Sequence, residues 1–158
     1  MSTKGCRNPL HKGGLVIRIA VIDGQGGGIG ATVIKKIKEA FGERAELWAL
    51  GTNAIATAQM LKAGANRGAT GENAIRHSTA RVDVIIGAMA ILVANAMMGE
   101  MTAAMVCAIG ESKAAKLILP LTQEPISVVG TIREPLPHMV DRLINEHLSH
   151  YVAAMEDN

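Results

Sequence analysis

The sequence predicts an α/β fold: a Rossmann-like, mostly parallel sheet with helices on both faces. Three observations predict it. Short β-branched runs alternate with segments of helical periodicity along the whole chain. The first such run, Val16 to Ile22, leads through Asp23 into the glycine-rich stretch Gly24-Gln25-Gly26-Gly27-Gly28-Ile29-Gly30 and then into a helical pattern. The apolar runs are near-continuous rather than alternating, as in strands covered on both sides.

The first unit organises the rest. Val16 to Ile22 reads as a buried strand, and Ile29, Val33, Ile34, Ile37 and Phe41 recur at helical spacing after the glycines. A strand, a glycine turn and a helix form half of a βαβ unit. The first N–H groups of such a helix have no intrahelical partner, and the helix dipole adds positive charge, so an anionic group is favoured there. Gly26-x-Gly28-x-x-Ala31 fits the dinucleotide pattern G-x-G-x-x-G/A. A turn that only packs the helix on the sheet is the competing reading.

In dinucleotide sites an Asp or Glu about 20 residues further on binds the ribose hydroxyls. Here the second strand, Ala45 to Leu50, ends in Gly51-Thr52-Asn53, with no acid and no arginine. Thr52 and Asn53 can still hydrogen-bond a ribose or a phosphate. This disfavours ordinary NAD and leaves NADP, another nucleotide or a phosphorylated metabolite open.

Thr52-Asn53 also offers N-cap chemistry to a helix with Ala54, Ala58, Leu61 and Ala65 on one face, stopped by Gly64. A very short strand or loop at Ala69 to Asn73 precedes a helix from about Glu72 to Ala80. Asp83 to Gly87 is a further strand. It opens an apolar tract to Met98, read as a buried strand followed by a buried helix. Gly87, Asn95 and Glu100 interrupt the tract before the roughly 20 apolar residues that a membrane span needs. Thr102 is placed to cap a helix over Ala103 to Ile109. Lys116 to Leu121 reads as a strand and Ile126 to Gly130 as a last, edge strand. The closing helix carries a stripe of Leu136, Met139, Val140, Leu143, Ile144, Leu148, Tyr151 and Val152, facing a core or a partner.

Composition narrows the function. The chain has 158 residues, 49% of them hydrophobic, so a full core is within reach of a single domain over residues 15–158. Residues 1–14 read as a disordered polar tail. Aromatics make up only 2%, which argues against stacking platforms for single-stranded nucleic acid. The net charge is +2, and Lys35, Lys36 and Lys38 read as a solvated helix face, so no nucleic-acid partner is expected. The two cysteines, Cys6 and Cys107, form no disulfide framework or zinc spacing, and Cys6 with His11 is too little for a metal site. With no apolar stretch near the N-terminus, a cytoplasmic protein is expected.

Ligands in open α/β sheets bind outside the carboxyl ends of the strands, where strand order reverses. This collects the candidate binding residues: Gly24, Gln25, Gly26, Gly27, Gly28, Ile29 and Gly30, then Thr52 and Asn53, Thr70, Glu72 and Asn73, and, after the fourth strand, Gly87 and Asn95. Asp23 reads as a turn-stabilising Asx residue as readily as a ligand to something. Glu72 complements a helix dipole, or marks a second anion site with Thr70 and Asn73. Asn95, within an apolar helix, would be a buried amide in need of partners. Glu100 is the first acid to consider for proton transfer, against the reading of an exposed helix-end carboxylate. His77 and His138 read as surface residues, and Cys107 as a small buried hydrophobe.

The phrases AVIDGQGGGIG, ALGTNAIATAQMLKAGA, ATGENAI and DVIIGAMAILVANAMMGEMT together resemble a family of short bacterial proteins catalogued as a domain of unknown function. The resemblance runs from about Val16 to Gly130. It implies a cytosolic bacterial α/β protein and supplies no reaction or catalytic residues. A weaker similarity, to the short-chain dehydrogenases, rests on Gly24, Gly28 and Gly30. It fails at their Tyr-x-x-x-Lys motif: the only tyrosine is Tyr151, and Met155 stands four residues on.

The expected function is therefore binding of a nucleotide or dinucleotide by the glycine loop, with a small phosphate-containing ligand as partner; the sequence does not identify a cofactor and leaves NAD(P) or another nucleotide open. Two alternatives are a small enzyme acting on a phosphorylated or NADP-linked metabolite, using Glu72, Asn95 and Glu100, and an assembly protein with a structural glycine loop. A homo-oligomer is expected under each.

Overall fold

The structure, a computed structural model, describes residue 14 and residues 16–157. The expected N-terminal tail, with Cys6 and His11, lies outside the described residues apart from Gly14. Five strands form one sheet: β1 (Ile17–Asp23), β2 (Ala45–Gly51), β3 (Arg67–Thr70), β4 (Val84–Ala88) and β5 (Ala115–Leu119). Their order is β3-β2-β1-β4-β5 and every pairing is parallel. The sheet order matches the first five strands of the Rossmann order 3-2-1-4-5-6, with the reversal between β1 and β4.

The strands alternate their side chains between two cores. Ile17, Ile19 and Val21 of β1 join Val33, Ile34 and Ile37 of α1 (Gly28–Phe41) and Met60 of α2 (Ala54–Lys62). Met139, Val140, Leu143, Ile144, Leu148 and Val152 complete this layer, so the C-terminal stripe faces the core except at Tyr151, which is exposed. They lie on a continuous helical segment: α5 (Leu136–Arg142), a π-helical stretch (Leu143–Leu148) and α6 (Ser149–Glu156). Lys36 of α1 reaches across to Asp141 and to the Pro137 carbonyl. On the other face, Ala20 and Ile22 pack with Ile75 of α3 (Glu72–Thr79) and with Met105 and Ile109 of α4 (Ala103–Glu111).

Two expectations about elements and two about residues, Asn95 and Cys107, are corrected. The tract after Gly87 is not a buried helix. A 3-10 turn (Met89–Leu92) gives way to a looped segment in which Asn95, Met97, Met98 and Gly99 all have positive φ. The Asn95 N–H bonds the Met101 carbonyl at 2.7 Å, folding the chain back on itself, and a right-handed helix cannot pass through such a turn. Ala96 and Met101 are fully buried, so the apolar signal came from a packed loop. Asn95 is thus an exposed turn residue and not a buried amide.

Ile126 to Gly130 is not a strand. Its hydrogen bonds are local, such as Ile126 N–H to the Glu124 carbonyl, and Val129 is 97% exposed. A run of β-branched residues becomes a strand only where it pairs with a neighbouring edge, and this run pairs with no strand of the sheet. Cys107 is exposed, on the side of α4 opposite the buried Met105 and Ile109. Among the described residues, no helix is long and apolar enough to cross a membrane.

Candidate functional site

The carboxyl ends of β1, β2 and β4 meet at one edge of the sheet, and the glycine loop leaves β1 there. Its first turn closes with the Gly27 N–H on the Gly24 carbonyl, 3.0 Å. Gly27 is the N-cap of α1 in the left-handed region, φ +73°, and offers no side chain to cap the helix. Asp23 supplies the acceptor instead. One carboxylate oxygen accepts from the Gly24 N–H at 2.8 Å and the other from the Gly30 N–H at 2.7 Å. It behaves as a clamp between strand end and helix start. Burial pushes its carboxyl above the usual range, and the Gly30 and Gly24 bonds offset this only in part.

The glycines divide into two kinds. A Cβ at Gly24 would strike Met97 Sδ and lie 2.6 Å from Thr52 Oγ1; one at Gly27 would lie 2.7 Å from Ala56 Cα; one at Gly30 would lie 2.5 Å from Met60 Sδ. Those three are required by packing. At Gly26 and Gly28 an added Cβ meets nothing within 4 Å, and neither has positive φ. Both are exposed, and the N–H groups of Gly26, Gly28 and Ile29 face no acceptor among the described residues.

A carboxylate arrives from far along the chain. Glu100, at the end of the turned segment after β4, accepts from the Gln25 N–H at 3.2 Å on each oxygen. Its Oε1 also accepts from Thr52 Oγ1 at 2.9 Å and from Asn53 Nδ2. Burial pushes the Glu100 carboxyl up, but the bonds from Asn53, Thr52 and Gln25 together outweigh it and hold it below the usual carboxylate range. Glu100 is therefore a half-buried anion at the loop and not a free helix-end carboxylate. Asn53 joins the two parts: its Nδ2 also reaches the Gln25 carbonyl at 3.0 Å, while its Oδ1 caps α2 through the Ala56 N–H at 2.9 Å.

The remaining candidates separate. Thr70 bonds Thr57 Oγ1 at 2.7 Å at the end of β3. Glu72 accepts from Thr102 Oγ1 at 2.6 Å, and Thr102 caps α4 through the Met105 N–H. Asn73 is exposed on α3. Gly87 lies in β4, where a Cβ would be 2.6 Å from Ile91 Cδ1 and 3.0 Å from the Ile22 carbonyl, so its role there is packing. Asn95 makes none of the loop's hydrogen bonds. Of the three polar residues named for an enzyme, only Glu100 touches the glycine loop. Sequence spacing carried no signal for that contact, because it depends on the left-handed turns from Asn95 to Gly99.

Among the described residues, no group of three or more His, Cys, Asp or Glu is placed to hold a metal ion. A cavity of about 460 Å³ lies elsewhere, between β5, the segment at Val128 to Glu134 and the C-terminal helices. Its cations are already engaged: Arg142 with Glu146 and Glu134, and Lys116 with the carbonyls of Ser112 and Ala114.

No curated protein matches the chain. Among solved structures, a universal stress protein in complex with cAMP is similar at 20% identity, over 66% of this chain and 97% of that chain, with a TM-score of 0.39. The fold itself is established by the sheet order. The family model described as Domain of unknown function (DUF3842) matches residues 18–152, and the chain belongs to that family.

Proposed function

We propose that the protein binds a nucleotide, or another small phosphate-bearing ligand, with the phosphate on the N–H groups of Gly26, Gly28 and Ile29. The observation that carries this reading is the open space over Gly26 and Gly28. Neither glycine is demanded by packing or by φ, so the bare backbone there serves close approach by something outside the chain. Three unpaired N–H groups at the start of a 14-residue helix suit an anion. The loop also sits beside the reversal of strand order between β1 and β4, the usual ligand crevice of such sheets. Glu72, Asn95 and Glu100 share no common set of partners, so binding is favoured over the three-residue enzyme reading.

The test is calorimetric titration of the full chain with NADH, NADPH, ATP and GTP beside Gly28→Val. A side chain at residue 28 has room in the fold, so the variant is expected to keep its structure and lose the ligand. The expected result is a dissociation constant of about micromolar for one ligand, weakened at least about a hundredfold in the folded variant. Equal binding by both proteins would remove the loop as the site, and silence across the panel would remove the nucleotide reading.

A further inference from the structure

Glu100 stands where the sequence lacks an acid. Dinucleotide sites place a carboxylate at the end of the second strand to accept the ribose hydroxyls, and here that strand ends in Thr52-Asn53. The structure brings the Glu100 side chain to those two residues from the segment after β4. Its two oxygens are not equivalent. Oε1 accepts from Gln25, Thr52 and Asn53, whereas Oε2 accepts only the Gln25 N–H, at 3.2 Å. A carboxylate has about four acceptor sites, so Oε2 keeps capacity for a donor from a ligand. One oxygen anchors the residue and the other is presented.

We propose that Glu100 is the ribose acceptor of this site, selecting a nucleotide with free ribose hydroxyls over one bearing a 2′-phosphate. This rests on the phosphate reading of the glycine loop and sets its ligand class. Charge selects along with geometry. A hydroxyl can donate to Oε2, whereas a 2′-phosphate would bring an anion against a carboxylate, and like-charge juxtaposition is strongly disfavoured. The Gln25 N–H, Thr52 hydroxyl and Asn53 amide, which could otherwise hold such a phosphate, are already spent on Glu100. Gly26, Gly28 and Ile29 keep their N–H groups for the backbone phosphates. Two large apolar side chains stand exposed nearby in sequence, Ile55 two residues after Asn53 and Met98 two residues before Glu100, and they suit the apolar faces of a base.

The experiment compares NADH with NADPH on the wild-type chain and on Glu100→Gln, with circular dichroism to check folding. Wild type is expected to hold NADH at least about tenfold more tightly, the size of one charge-assisted hydrogen bond. In folded Glu100→Gln that ratio should fall to within about threefold, through weaker NADH and stronger NADPH binding, as the repulsion is removed. The wild-type ratio alone decides the matter if the variant does not fold: equal affinities, or a preference for NADPH, overturn the proposal. An unchanged ratio in the folded variant overturns it as well. If wild type holds neither dinucleotide, AMP against adenosine 2′,5′-bisphosphate makes the same comparison. Silence from all four, like equal affinities within a pair that binds, removes this proposal alone; the phosphate reading of the loop falls only if ATP and GTP are silent as well.

Discussion

Asp23 and Glu100 flank the same loop and respond to it in opposite ways. Asp23 is buried and its folded pKa is raised, so its contribution to stability is fully present below the unfolded pKa and lost as pH rises through the folded value. Glu100 is held by donors and its folded pKa is lowered, so its contribution is present above the unfolded pKa and lost as pH falls through the folded value. Wild type should therefore be more stable than Glu100→Gln at neutral pH, with the gap closing on acidification. Urea midpoints for both proteins from about pH 7 to about pH 3 check this. A gap that stays constant to the acid end would mean that the Glu100 charge does no work in the folded state. The glycines were legible in the sequence as a group, but not their division: that Gly24, Gly27 and Gly30 serve packing and Gly26 and Gly28 do not depends on Met97, Ala56 and Met60. The Glu100 contact was illegible for a similar reason, since it bridges 75 residues to Gln25.

At the scale of elements, helix starts are where local chemistry and the site overlap. Asn53 caps α2 and holds Glu100, so its two roles cannot be separated by one substitution. Thr102 is different. It caps α4 and bonds Glu72, and neither of these hydrogen bonds involves the glycine loop. Thr102→Ala should cost about 1 kcal/mol, the usual size of a lost N-cap. Chemical denaturation measures it, and nucleotide affinity should stay at the wild-type value. A large loss of affinity would place α4 in the site. The strands from β1 to β5 and the helices α1 to α4 were readable from glycines, cap residues and periodicity, but the face read for α2 was the wrong one: Ala56, Thr57 and Met60 are buried, whereas Ala54, Ala58 and Leu61 are exposed. The tract from Met89 to Met101 was not readable, because a buried loop and a buried helix give the same apolar run. ISVVG was misleading for the converse reason: its β-branched residues meet the composition of a strand without a place in the sheet.

In the whole molecule, the position of the loop is set by the sheet. Two apolar layers cover a five-stranded parallel sheet, and its strand order reverses between β1 and β4, where the glycine loop leaves β1. Chirality rules place the glycine loop, Thr52 and Asn53 on the carboxyl edge from the sequence alone, since right-handed crossovers bring all parallel strand ends together. They do not set strand order, which depends on the β3-to-β4 connection passing over the opposite face. The competing location is the cavity beside His147 and Met139, at the β5 side of the sheet. Amide NMR separates the two in one experiment. On titration with the nucleotide that binds, the amides of Gly26, Gly28 and Ile29 should show the largest shifts, because their N–H groups gain an acceptor. The Gly30 amide, already bonded to Asp23, should move less. Shifts centred on Met139 and His147, with the loop amides unmoved, would contradict the account and transfer the ligand to the other end of the sheet.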